Sequence, residues 1–443
     1  MSLARRFTRG ISLSLVAAVF NQGSTFALNL VISNLLGKKI FGEFSMVLST
    51  ILSISVLTQV GAGYTVSKYL AEFRNHDRER AGRLIGAFFL FTLGFNCLAC
   101  LALFFGAAPL AGTWLKAPQL CGEFQIGSAI VFFLSLAGFA TGALTGLEAF
   151  PRIARAGVFN GLCYLILCTS LSYWAGLRGA VWGLLLSAIL QFLSLGAAML
   201  GELRVQQIVV RWVSPLQESQ ALRNFALPAT SAGYLTLPFT WGSNALLVNS
   251  LGGYEQMGLY TAANNLRTLA LFIPNNIVGV GTTMLNDAKG ANNRSLYRKI
   301  FITNVLVVCA AAFATTLFLL LFGLKILAVY GKDFSGAYPV LTFLLCAAIT
   351  DSLYIACSPD LHAQGRMWLS LGSVALPRDI SLFLLAGHFI PLYGAQGLAM
   401  AACGSSITAL LGLGLAILWS QKNRSNPTPQ DLLINPLPVA DQG

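Results

Sequence analysis

The sequence predicts an all-α integral membrane protein: twelve transmembrane helices in two six-helix bundles related by a pseudo-two-fold axis along the membrane normal. Three observations carry this. The 443 residues are 56% hydrophobic and only 10% charged, whereas a soluble domain carries about a quarter charged residues. Apolar runs long enough to cross a bilayer follow one another with no soluble domain between them, each crossing needing about 20 residues. The basic residues fall on alternate loops.

Taken in order, the expected spans lie at roughly residues 10 to 36, 41 to 66, 83 to 109, 124 to 148, 154 to 176, 179 to 201, 225 to 251, 257 to 285, 297 to 323, 335 to 358, 368 to 390 and 393 to 420. The opening MSLARRFTRG is basic and leads into an apolar run that reaches Leu36 without a small-residue cleavage site, so it reads as a retained first span. The longest internal loops are RNHDRERAGR after the second span and the stretch LRVQQIVVRWVSPLQESQALRNF between the sixth and seventh. The expected organisation is a first bundle over 1–202, a cytoplasmic linker over 203–224, a second bundle over 225–420, and a polar, Pro- and Asn-rich disordered tail over 421–443.

The formal charge of +12 does not point to nucleic acid. Of the 28 Lys and Arg residues, 20 lie on the termini and alternate loops, 6 on the opposite loops, and Arg267 and Arg378 inside spans. The positive-inside rule then places both termini in the cytoplasm, with attraction to anionic membrane lipids as a secondary effect. Eight of the nine cysteines lie within expected spans, where Cys97 and Cys100 read as small packing residues rather than a redox or metal pair. His76, His362 and His388 are scattered, with no metal-site spacing. No catalytic triad, paired-carboxylate site or P-loop motif is present.

The halves read as repeats. GKKIFGEF (37–44) and GYEQMGLY (253–260) share Gly-x4-Gly-x-aromatic at an offset of 216, LRGA (177–180) aligns with LYGA (392–395) at 215, and Arg152 and Arg366 are 214 apart. Six-span repeats keep one orientation, which calls for an axis along the membrane normal and a site between the halves, as in many secondary transporters.

Four ionisable residues lie deep in the spans: Arg267, Asp351, Arg378 and Asp379. An arginine at a helix centre costs from about 3 to more than 10 kcal/mol, so it faces a cavity or a partner. Arg267 lies roughly 15 Å in from the external face at 1.5 Å per residue. Tyr260, Asn264, Arg267, Leu271 and Asn275 share one helical face, and Gln22, Thr25, Asn29 and Ser33 share another on the first span, with Asn21 alongside. The seventh span offers Thr236, Thr240 and Ser243, with Tyr234 and Trp241 on a separate face. These stripes predict a polar central cavity, although Ser, Thr and Asn also join transmembrane helices by hydrogen bonds. Asp351, at similar depth on the adjacent span, is the expected structural partner of Arg378, which leaves Arg267 as the ligand candidate. Glu148 and Arg152, four apart, are read as a pair.

The opening span with LLGKKIFGEFSMVLS, the stretch GAGYTVSKYLAEF, and GLYTAANNLRTLALFIPNNIVGVGTTMLNDAKG resemble polysaccharide flippases of the Wzx type, in the multidrug/oligosaccharidyl-lipid/polysaccharide (MOP) exporter superfamily. That resemblance implies a V-shaped MATE-like pair of bundles working by alternating access. It implies a cargo of undecaprenyl-pyrophosphate-linked oligosaccharide, moved from the cytoplasmic to the periplasmic leaflet of a bacterial inner membrane for O-antigen, capsule or exopolysaccharide synthesis. The polymerase and glycosyltransferases of the same pathway would be its partners. It maps cationic cavity residues onto Arg267 and Lys68, with Asn264, Asn275, Gln22, Asn29, Asn21 and Trp241 as further substrate contacts. The protein is then expected not to be an enzyme and to need no cofactor beyond an H+ or Na+ gradient. The residues also admit a MATE-like cation-coupled multidrug antiporter using Asp351 and Asp379, and a multi-spanning polysaccharide polymerase or ligase.

Overall fold

A hydrocarbon core about 30 Å thick limits how long a helix stays straight. The first helical run, α1 (Leu3–Gln59), has 57 residues and would measure about 86 Å unbroken. It breaks at Gly37, whose φ of 75° and ψ of 171° are non-helical. The same device appears in α5 (Phe150–Val205), broken at Ala175 and Gly176, the latter with φ 58° and ψ −135°. Glycine occupies both hinges because a positive φ crowds any Cβ.

A computed structural model describes residues 3–59, 62–212, 227–290, 293–363 and 367–425. Between the two broken helices run α2 (Ala62–Phe73), α3 (Arg78–Pro109) and α4 (Cys121–Gly146). After them come α6 (Leu227–Val248), α7 (Gly253–Gly290), α8 (Arg294–Val329), α9 (Tyr338–Ala363), α10 (Leu376–Tyr393) and α11 (Ala395–Ser425). A π-helical turn, Leu371–Ala375, leads into α10. There is no strand among the described residues, and eight helical stretches are long and apolar enough to cross a membrane. Counting each broken helix as two passes and adding α6 and α7, the helices accommodate twelve crossings.

Within the first half α5 packs on α1 and α4, and α4 on α2 and α3; within the second, α8 and α9 pack on α7, and α11 on α9 and α10. The first residues of the expected linker lie along α3: the Arg211 N–H donates to the Gly82 carbonyl at 3.1 Å, and Arg211 pairs with Glu79 at 2.9 Å. The Trp212 ring stands 5.7 Å from Phe89. Residues 213–226 and the tail from 426 lie outside the described residues, as does Arg366.

The repeat is visible in the backbone. Gly394, which ends α10 with φ 56° and ψ −127°, has the conformation of Gly176. Those two are 218 positions apart, so the structural register differs by three residues from the one that the LRGA and LYGA strings offer. The Gly-x4-Gly pattern keeps its offset and meets itself: a Cβ on Gly42 would lie 1.8 Å from the Tyr254 carbonyl oxygen, and one on Gly258 would lie 2.2 Å from that of Lys38. Such a reciprocal contact is what a two-fold axis between Gly42 and Gly258 produces. Only glycine lets helix backbones cross this closely.

Candidate functional site

The halves meet along a seam that starts at this crossing. Phe41 packs on Tyr330 and Phe334, with ring centroids 6.3 and 5.9 Å away. Lys38 pairs with Glu255 at 2.8 Å, and this bond holds the lysine pKa above its ordinary value. Asn34 donates to the Val329 carbonyl at 2.5 Å, and Asn249 to that of Trp114 at 2.6 Å. Farther along α1 three side chains of α6 dock in turn. Asn244 donates to Ser49 at 3.2 Å, the Trp241 indole N–H to Thr50 at 2.9 Å, and the Tyr234 hydroxyl to the Leu57 carbonyl at 2.7 Å. From Gly42 to Leu57 this side of the seam runs about 22 Å along the helix.

Arg267 lies on α7 about 14 Å beyond Gly258. It donates through Nη2 to Oδ2 of Asp351 on α9, and through Nη1 to Oδ1 of Asn264 at 3.3 Å. The other Asp351 oxygen accepts from the Ser406 hydroxyl of α11 at 2.8 Å. Three helices of the second half thus converge on one ion pair. The Arg267 side chain retains 21% of its exposure against 9% for Asp351, and its Nε is buried without a partner. Arginine has five N–H donors in a fixed fork, so these two bonds leave three of them unengaged.

The expected Asp351–Arg378 pair is not formed. Matching depth on neighbouring helices does not fix which way each side chain faces, and Asp351 turns toward α7 and α11. Arg378 instead donates from Nε to Oδ1 of the adjacent Asp379 at 3.1 Å, immediately after the π-helical turn. Tyr354, three residues on from Asp351, lies within electrostatic reach of Arg378 and Asp379 as well as Asp351. Glu148 and Arg152 also choose other partners: Glu148 pairs with Arg74 at 2.6 Å, and Arg152 with Glu202 at 2.8 Å.

Of the other expected contacts, Asn264 alone joins Arg267. Asn29 is buried and Gln22 half-buried on the first pass of α1, Asn21 and Asn275 are exposed, and Lys68 is exposed with its ammonium 5.2 Å from the Tyr69 ring. Thr25 and Ser33 hydrogen-bond to carbonyls of their own helix. Trp241 belongs to the seam rather than to the arginine, and with Trp114 and Ile54 it lines a groove of about 470 Å³ against α3. A second cavity of about 570 Å³ lies between the ends of α6 and α10, beside Asn249, Gln256 and Tyr393. Neither touches Arg267. Sequence reading missed Ser406 and the docking of Ser49, Thr50 and Asn244; the seven-residue spacing of Tyr234 and Trp241 was the available signal for the seam. Among the described residues no three His, Cys, Asp or Glu side chains gather as a metal site.

Known proteins share both sequence and shape with this chain. The family described as polysaccharide biosynthesis protein matches residues 7–281. A relative named EPS I polysaccharide export inner membrane protein EpsE, from Ralstonia nicotianae, is 25% identical over 410 residues, covering 88% of this chain and 89% of the relative. Its counterpart from Ralstonia solanacearum is 22% identical over 411 residues, with the same coverage of each chain. Among solved structures, an inward-facing multidrug resistance MATE family transporter of the MOP superfamily superposes with TM-score 0.76 at 16% identity, covering 93% of this chain and 96% of that one. A MOP superfamily transporter from Pyrococcus furiosus gives 0.66 at 17% identity, covering 95% of each. The chain therefore belongs to the polysaccharide biosynthesis protein family and has the fold of the MOP superfamily transporters.

Proposed function

We propose that this protein is an inner-membrane flippase that carries lipid-linked oligosaccharide, held by its pyrophosphate, from the cytoplasmic to the periplasmic leaflet of a bacterial envelope. The observation that carries the reading is Arg267, a cation held deep in the expected span and partly exposed, with only two of its five N–H groups engaged. An arginine suits a phosphate because its planar fork binds two oxygens at once and stays charged when dehydrated. The polysaccharide family and the EpsE relatives, named for export at an inner membrane, support a glycan cargo. Asn264, hydrogen-bonded to Arg267, is placed to meet a cargo hydroxyl beside the phosphate.

The seam closes at the end bearing Lys38 and Glu255, which the charge distribution assigns to the periplasm. This arrangement is the cytoplasm-facing state of the cycle, and release of cargo requires the seam to part. An H+ or Na+ gradient, or polymerisation of the delivered repeat units, supplies the driving force. Deleting the gene and quantifying lipid-linked oligosaccharide by mass spectrometry tests the reading: a complete repeat unit on undecaprenyl pyrophosphate accumulates, and wild type but not Arg267→Ala removes it.

A MATE-like antiporter of cationic compounds is the second reading, favoured by the buried carboxylates Asp351 and Asp379. It predicts an unchanged lipid pool and sensitivity to cationic drugs on deletion.

A further inference from the structure

We propose that Asp351 is an internal stand-in for the substrate anion: it holds Arg267 while the carrier is empty and yields it when a phosphate arrives. This rests on the flippase reading above. The geometry is that of a replaceable partner. Asp351 grips Arg267 through one oxygen, at Nη2, while the arginine's buried Nε has no partner and its other terminal nitrogen, Nη1, goes to a neutral amide. Nε and Nη2 share one edge of the guanidinium, so a bidentate phosphate that takes this edge as Asp351 lets go displaces the carboxylate from Nη2 and gives the arginine two contacts in place of one. Asp351 keeps one hydrogen bond when released, from the Ser406 hydroxyl to its other oxygen, and its uncompensated charge drives it back onto Arg267 once the cargo leaves. The other intramembrane arginine, Arg378, has its Nε engaged by Asp379. No other charged group among the described residues forms an ion pair with either partner.

The consequence is a carrier that crosses its return step without an unpaired charge. A lone guanidinium in the membrane is costly, so an empty carrier lacking Asp351 would hold any available anion and turn over slowly. Asp351 is in this sense a positioning residue that trades affinity for release. The exchange predicts a split between binding and turnover that loss of structure alone does not give.

The test uses the full chain in lipid nanodiscs, with farnesyl pyrophosphate as the probe and farnesol as its neutral control, read by calorimetry. Asp351→Asn is expected to bind farnesyl pyrophosphate about tenfold more tightly than wild type, while clearing lipid-linked oligosaccharide more slowly in cells. Ser406→Ala should act in the opposite direction, since a carboxylate deprived of its hydroxyl donor holds Arg267 harder, and the probe should then bind more weakly. If Asp351→Asn, with an unchanged melting profile, binds the probe no better than wild type, the stand-in role is overturned. If the asparagine variant does not fold, unchanged or tighter binding by Ser406→Ala overturns it. If neither wild type nor any variant distinguishes farnesyl pyrophosphate from farnesol, the flippase reading itself falls.

Discussion

Gly42 and Gly258 occupy equivalent places in the two halves, and each packs against the backbone of the other's helix, Gly42 on Tyr254 and Gly258 on Lys38. Nothing larger fits at either place while the halves are closed. A methyl group on Gly42 would meet a carbonyl oxygen at 1.8 Å, a backbone atom with no rotamer to escape through. Gly42→Ala and Gly258→Ala should therefore bias the protein toward the state in which this crossing is parted. Accessibility of a cysteine at Lys38 to a membrane-impermeant maleimide should rise severalfold in either variant.

The α6 contacts along α1 predict a lock. Because Asn244 and Ser49 are hydrogen-bonded at 3.2 Å, cysteines at these two positions in a background without the nine native cysteines should cross-link on oxidation. Oligosaccharide export should stop and return on reduction. Cross-linking without loss of export would show that the halves need not separate there.

Trp241 should matter for the equilibrium between states more than for cargo. Trp241→Phe keeps the ring against Trp114 but loses the bond to Thr50, worth about 1 kcal/mol. That corresponds to roughly a fivefold shift toward the open seam. Spin-label distances across the seam would report it, with little change in probe affinity.

The ion pair separates structure from function. Arg267→Ala strands a buried carboxylate and should cost about 3–5 kcal/mol of stability. Adding Asp351→Asn removes the stranded charge and should recover most of that loss without restoring export. A double variant that exports normally would reduce the pair to a structural tie.

Much of this was legible in the sequence because membrane burial imposes simple rules. Apolar runs of fixed length gave the helices, loop charges gave the expected orientation, and Gly-x4-Gly marked a contact that only glycine permits. Arg267 and Asn264 stood out because polar residues three apart share a helical face. Pairing was not legible. Asp351 has two arginines at comparable depth, and the choice of Arg267 depends on the rotation of α9 about its axis. Ser406, 55 positions from Asp351, has no local signal, being one of two adjacent serines in an apolar stretch. The second repeat match is out of register by three residues because the hinge glycines, Gly176 and Gly394, and not the LRGA and LYGA strings, occupy equivalent places.

The most direct measurement is the lipid-linked oligosaccharide pool in a deletion strain carrying wild type, Arg267→Lys or Arg267→Ala. Wild type should clear a complete pyrophosphate-linked repeat unit, lysine should clear it partly because it keeps the charge but loses the fork, and alanine should leave it accumulated although the protein reaches the membrane. Clearance by the alanine variant at the wild-type rate would mean that Arg267 does not carry the cargo's phosphate across.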